Sequence, residues 1–355
     1  MLKFRSLLLG HLRLPRLLPV LALLLMAGGA MFARPGNPTE PMRTRHFTFE
    51  YSTTVHPAPQ GAQELNLWLP MPHSDAWQDI DQLEITSPYP YEILPAQHGN
   101  RVLHLKLLSP PAADFTVTMR FNAVRREHRN PLQASLPAQA RNPVPPADAD
   151  LARWLAPDHL VPLDGQIRQW AQEVVTKAHA TTPLAKAQAI YNHVVSTVKY
   201  DKTGQGWGQG DIYYACDARR GNCTDFHAVF IGYCRAVGIP ARFSIGFPLP
   251  AQRGTGEIKG YHCWAEFYTP ETGWVPIDAS EAAKDPARRS YFFGAHDENR
   301  VEFTRGRDLT LAPSQRGEPL NYFIYPYAEV DGRPFAALEK QFRYEDVSPV
   351  ASPTR

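Results

Sequence analysis

Gly221-Asn222-Cys223-Thr224-Asp225-Phe226-His227, with the run it opens, decides how this chain is read. After Cys223, apolar residues recur at Phe226, Val229, Phe230, Tyr233, Cys234 and Val237, the spacing of one helical face. Gly238 supplies a stop and Pro240 lies just beyond it. Asn222 is a good N-cap, so Cys223 falls in the first turn, where free backbone N–H groups and the positive end of the helix dipole favour a thiolate. At about 100° per residue, Cys223 projects within roughly 50° of the centre of the apolar face, toward whatever the helix packs on. That is a seat for a nucleophile.

A cysteine nucleophile needs a base for its proton, usually His, and a third group to orient the imidazole. Downstream, runs at 241–247, 261–268 and 274–279 read as strands. His262 and Asp278 are equidistant from Pro270, inside the turn signal Thr269-Pro270-Glu271-Thr272-Gly273. A hairpin folding there sets the two side by side, on one face if no bulge intervenes, and a slip of two still leaves them diagonal neighbours. If that face meets the Cys223 helix, Cys223 is the nucleophile, His262 the general base and then acid, and Asp278 the orienting carboxylate. The Cys223 N–H is then a candidate oxyanion donor.

Competing readings stand beside this one. Cys223 could be a structural thiol, and Asp278 could cap a turn with Ser280 and Glu281. His227, one turn after Cys223, is a rival base, and Asp225 suits capping or loop pinning at a helix start. Four cysteines permit two disulfides. Cys234 reads as a core residue, Cys216 with Cys263 is the pairing to consider, and Cys223 should stay free. A zinc site from Cys216, Cys223, His227 and Cys263 lacks paired CxxC spacing. Arg305-Gly306-Arg307-Asp308 reads as a loop ion-pair cluster or a groove lining, and the aromatic loop at 207–214 as packing.

The chain has 355 residues with 43% hydrophobic and 20% charged residues, and its 34 prolines cluster in connections. Lys3, Arg5, Arg13 and Arg16, an apolar run from Leu17 to Ala27 and small residues after it read as a secretory signal peptide over 1–33, or else as an uncleaved anchor at 17–33. Of 37 basic residues, four lie in that leader, so 33 face 35 acidic ones in the rest, a balance that does not suggest nucleic acid. A linker over 34–45 precedes alternating strand patterns at 47–51, 65–69, 102–107 and 115–121, read as an N-terminal β domain over 46–128. A Pro-rich linker follows at 129–150, then two helices, the second capped by Thr182 with Pro183 at its first position. A connection at 248–259 carries Gly254 and Gly256 and reads as mobile. A last strand is expected at 322–330, a catalytic domain over 151–335, and a tail over 336–355.

The segments 221–227, 238–242, 260–266 (Gly-Tyr-His-Cys-Trp-Ala-Glu) and 273–278 (Gly-Trp-Val-Pro-Ile-Asp) together resemble the core of the transglutaminase-like superfamily, in the family's order and over roughly residues 160–280. The resemblance implies an α+β fold, a papain-like core of helices on an antiparallel sheet, here preceded by the small all-β domain. It maps the family's catalytic Cys, His and Asp onto Cys223, His262 and Asp278. It implies acyl transfer at a Gln side chain or peptide amide of a protein or peptide substrate, resolved by water or an amine acceptor. A Trp upstream of the nucleophile assists the oxyanion in transglutaminases, and Trp207 is the nearest counterpart. No cofactor or metal site is read from the residues; calcium-dependent transglutaminases bind the ion through acidic loops, no such cluster is visible here, and the sequence leaves a calcium requirement open. The expected setting is periplasmic or extracellular. The rival function is a non-catalytic binding or assembly protein of the envelope that keeps the fold.

Overall fold

The structure is a computed structural model that describes residues 41–130 and 148–347. The signal-peptide reading and most of both linkers lie outside the described residues. No helix among the described residues is long and apolar enough to cross a membrane.

Residues of strict two-residue alternation build the N-terminal part. Thr44–Val55 buries every second side chain and pairs along its whole length with Phe115–Arg126, from Thr44↔Arg126 to Val55↔Phe115. That pair is the centre of a five-stranded sheet whose order is Thr255–Glu257, Leu338–Asp346, Thr44–Val55, Phe115–Arg126 and Gln78–Thr86. A second five-stranded sheet runs Arg333–Pro334, Tyr327–Val330, Glu64–Met71, Arg101–Leu108 and Glu92–Pro95.

Both sheets take strands from the far end of the chain. The segment expected as a tail contains Leu338–Asp346, which pairs with Thr44–Val55 from Val55↔Leu338 to Phe47↔Asp346. Phe342 and Tyr344 face inward and charged residues alternate with them, so the strand is half-buried and polar outside. The last strand expected at 322–330 is shorter, Tyr327–Val330. The connection expected as mobile carries Thr255–Glu257, held by Leu338–Asp346.

A four-stranded antiparallel sheet has the order Gly273–Ile277, His262–Thr269, Ala241–Pro248 and Arg300–Arg305. Phe247 and Phe303 from it meet Phe49, Phe121 and Phe342, with ring centroids 4.3–5.9 Å apart. One continuous apolar core therefore runs through the β part and this four-stranded sheet, and the described residues fall in one compact unit.

Helices cover the other side. Gly165–Lys177 is capped by Asp164, and Pro183–Thr197 by Thr182, whose hydroxyl accepts the Ala185 N–H with Pro183 at the first position. Ile212–Ala218 follows, and Cys223–Ala236 lies at the centre of the group. Its periodicity suggests a single buried face, yet residues 223–235 are all buried, because helices and sheet enclose it from every side. Gly232 is what permits this: a Cβ there would run into Ile212 and Val161.

Candidate active site

The start of the Cys223 helix is fixed by a capping box. Asn222 Oδ1 accepts the Thr224 N–H at 2.9 Å, and Asp225 Oδ2 accepts the Asn222 N–H at 2.8 Å. Asp225 also accepts the N–H groups of Gly208 (2.7 Å) and Gly210 (3.0 Å), so one buried carboxylate holds both the helix tip and the glycine-rich loop. A Cβ on Gly221 would collide with it. Arg307 grips the same loop from outside, donating to the carbonyls of Gly210 (2.9 Å) and Gln209 (3.0 Å).

The hairpin turns at Thr269↔Gly273 and pairs Ala265 with Ile277, a register two residues away from symmetry about Pro270. His262 and Asp278 are accordingly diagonal, and His262 Nε2 lies 2.7 Å from Asp278 Oδ2. Cys223 faces both His262 and Cys263, and each lowers the pKa of its thiol. With Nε2 engaged by Asp278, Nδ1 is the ring nitrogen left for Cys223. All three groups are buried, with Cys223 at 2%, His262 at 5% and Asp278 at 0% exposure.

Asp278 does two jobs that seemed alternatives. Its Oδ1 caps the helix Ala279–Lys284, accepting the Glu281 N–H and the Ser280 hydroxyl at 3.0 Å each. Its Oδ2 takes His262 and, at 3.1 Å, the buried guanidinium of Arg300, which also reaches Asp297 at 3.4 Å. Arg300 lies over the Trp264 ring, 4.9 Å from its centroid.

The electrostatics follow from these contacts. Burial alone would lower the His262 pKa, but the charge of Asp278 and the hydrogen bond to it, with further help from Cys223, push it up to about 10. Burial would raise the Cys223 thiol; its neighbours Cys263 and His262, together with the charge of His262, outweigh that and hold it well below its ordinary value. Burial would likewise raise Asp278, which His262 and Arg300 instead hold well below the usual carboxylate range. The favoured resting form is a thiolate–imidazolium pair backed by a carboxylate.

His227 is not placed as a base. Its Nε2 accepts the Ala279 N–H at 3.2 Å, and burial keeps it neutral with a pKa of about 4. Trp207 donates its indole N–H to the Gly204 carbonyl at 3.2 Å, within its own loop. All four cysteines are free. The Cys216–Cys263 pairing is overturned, since Cys216 Sγ sits 3.4 Å from the Tyr233 hydroxyl while Cys263 faces Cys223 and His227.

Two residues escaped the sequence reading. Tyr261 bridges the helix tip to the His262 strand, its hydroxyl 3.0 Å from Asn222 Nδ2 and 2.9 Å from Thr224 Oγ1. It sits next to His262 in a quoted motif, so adjacency was a signal. Arg300 comes from a strand with no motif, and nothing in the linear pattern marks it. Among the described residues, two groups have metal-like spacing, His262/Asp278/Glu281 and His73/Asp75/Glu302, each with ligand atoms within 4.8 Å. Their carboxylates already contact Arg300, Lys284 or Arg305, which would compete with any cation.

Residues 168–279 match the model of the transglutaminase-like superfamily core. This stretch is a transglutaminase-like domain, and proteins of that superfamily are usually cysteine-dependent enzymes. An uncharacterized protein of Haemophilus influenzae is 29% identical over 343 residues, covering 85% of this chain and 90% of that protein. A protein-glutamine gamma-glutamyltransferase of Pseudomonas aeruginosa is 30% identical over 129 residues, 33% of this chain and 19% of that protein. A crystal structure described as a candidate cysteine protease of Cytophaga hutchinsonii superposes with a TM-score of 0.58 at 17% identity, covering 88% of this chain and 93% of the other. That likeness establishes the fold, a transglutaminase-like α+β core with an N-terminal β-rich region.

Proposed function

We propose that the chain is an exported thiol enzyme in which Cys223 attacks a side-chain carboxamide or a peptide carbonyl of a protein or peptide. The observation that carries this reading is the buried His262–Asp278 pair, 2.7 Å apart and set beside Cys223, with the thiol acidified and the ring charged. The thiolate adds to the carbonyl carbon, and the oxyanion forms beside the Cys223 N–H at the helix start. Trp207 joins only if its loop turns the indole N–H away from Gly204.

His262 gives its proton to the departing nitrogen, which leaves a thioester on Cys223. The neutral ring then takes a proton from water or from an amine as either attacks that thioester, and the thiolate leaves. Asp278 keeps Nε2 occupied throughout, so that Nδ1 does the proton transfer, and Arg300 keeps Asp278 ionised and immobile. The glutamyltransferase similarity favours a glutamine side chain as acyl donor. The basic and apolar leader supports export to the periplasm or beyond, with membrane contact only through residues 17–33 if they are retained.

Mass spectrometry of a peptide pool containing Gln and Lys, incubated with the protein and a primary amine, tests this. Gain of the amine means transamidation, exchange of amide nitrogen for oxygen means deamidation, and new termini mean proteolysis. None of the three, with Cys223→Ala indistinguishable from wild type, sinks the proposal.

A further inference from the structure

The mechanism above leaves Cys263 unused, though its sulfur faces the proposed nucleophile and lies against His227, one helical turn beyond Cys223. The residue comes from the strand face turned toward the Cys223 helix and is fully buried. On its other side, His227 Nδ1 lies 3.6 Å from the sulfur. Because His227 Nε2 accepts from Ala279, the neutral ring carries its proton on Nδ1 and donates it to Cys263. The Cys263 thiol thus accepts from His227 and points its own proton at Cys223. Cys216 lies against Tyr233, and Cys234 is a core residue whose thiol burial pushes well up. One thiol pair therefore shares a contact, and one member of it is the proposed nucleophile.

We propose that Cys263 is a resolving thiol: with a hydroperoxide it closes a reversible Cys223–Cys263 disulfide that shuts the enzyme off and protects its nucleophile. The idea rests on the reading of Cys223 as a reactive thiolate. In the first step the Cys223 sulfur attacks one oxygen of hydrogen peroxide and the O–O bond breaks. The sulfur becomes a sulfenic acid, and the departing hydroxide takes the His262 proton and leaves as water. In the second step the Cys263 sulfur loses its proton and attacks the Cys223 sulfur. An S–S bond forms, the S–O bond breaks, and hydroxide leaves with that proton as a second water.

Burial and then the hydrogen bond and charge of Cys223 keep Cys263 protonated at rest. Oxidation of Cys223 removes the last two, so Cys263 becomes a better nucleophile only after its partner has been hit. The return step needs a dithiol reductant: one of its thiols attacks the Cys223–Cys263 bond, the second resolves the mixed disulfide, and two free cysteines and one oxidised reductant result.

The test uses the full chain, treated with graded hydrogen peroxide, blocked with N-ethylmaleimide and digested without reductant. The expected result is a peptide containing Cys223 linked to one containing Cys263, loss of two titratable thiols, and restoration of both by dithiothreitol. In Cys263→Ser, which keeps the side-chain shape, Cys223 should instead yield a dimedone-trappable sulfenate that proceeds to sulfinate and is not restored. Sulfinate on Cys223 at the same peroxide dose in wild type and Cys263→Ser, with no linked peptide, overturns the proposal. Iodoacetamide labelling before oxidation separates the two ideas. Fast labelling of Cys223 without a linked peptide removes the switch and leaves the nucleophile. A linked peptide in a chain that transfers no acyl group supports the switch and removes the enzyme.

Discussion

On one face of the His262–Thr269 strand, Cys263 and Phe267 meet the Cys223 helix; on the other, Trp264 and Glu266 border a polar cavity of about 150 Å³. Both sides bury ionised groups and imidazoles, with opposite results. Behind the sheet, His128 lies 3.7 Å from Glu266, and burial still drives its pKa down to about 3. Where the same strand begins, beside Cys223, His262 touches Asp278 at 2.7 Å and is pushed up to about 10. Glu266 is already committed to Arg242 at 2.6 Å, whereas one oxygen of Asp278 is shared by His262 and Arg300. Burial sets the default for an imidazole, and a carboxylate in hydrogen-bond contact reverses it. The front, at the strand's start beside Cys223, holds a charged imidazole, and the carboxylate at the back ties neighbouring strands together.

Removing the front anion breaks the comparison most completely. Cys223→Ala should lower acyl transfer by roughly 10⁴-fold or more, with rapid iodoacetamide labelling lost and the thermal midpoint little changed.

Asp278→Asn should make His262 behave like His128. Without the carboxylate, burial wins, the ring becomes neutral at pH 7, and the Cys223 alkylation profile moves up toward about 8.5. Acyl transfer should fall by about 10²–10⁴-fold. Arg300 would keep only Asp297, which costs about 3 kcal/mol of stability by denaturant unfolding. In the wild type the pH–rate profile should stay high from the acidic pKa of the Cys223–His262 pair to an alkaline fall near 10, where His262 loses the proton it delivers. The same proton makes His262 stabilising below its unfolded pKa of about 6.5. That contribution disappears as pH rises through about 10. An alkaline limb at neutral pH would contradict the charged-ring assignment.

The front was more legible than the back for a reason of range. The cap at Asn222, the helix phase of Cys223 and the parity of His262 and Asp278 are local, and the two-residue register slip was harmless because diagonal neighbours still touch. Arg300 was invisible because its role depends on a strand added 22 residues after Asp278 with no periodicity of its own. Leu338–Asp346 read as a tail because charged residues outnumber its inward apolar ones, and only pairing with Thr44–Val55 makes that alternation a strand. The partner of Cys216 stays open in the sequence because spacing says nothing of facing: the end of Ile212–Ala218 points it at Tyr233.

The gentlest probe sharpens the contrast from behind. Glu266→Gln keeps shape but removes the charge that pairs Arg242 and offsets Arg305. Burial would raise this carboxyl, yet Arg242, His128 and Arg305 hold it far below the usual range. Its folded pKa is depressed, so its contribution is present above the unfolded value of about 4.3 and fades as pH falls through the folded one. The substitution should therefore cost about 2 kcal/mol at pH 7, discounted because Arg242 is partly solvated, and less in acid. Cys223 alkylation, read across the same pH range, should not move. A shift there would mean that charge behind the sheet reaches the nucleophile through Trp264 and Arg300, and the two faces would have to be treated as one electrostatic unit.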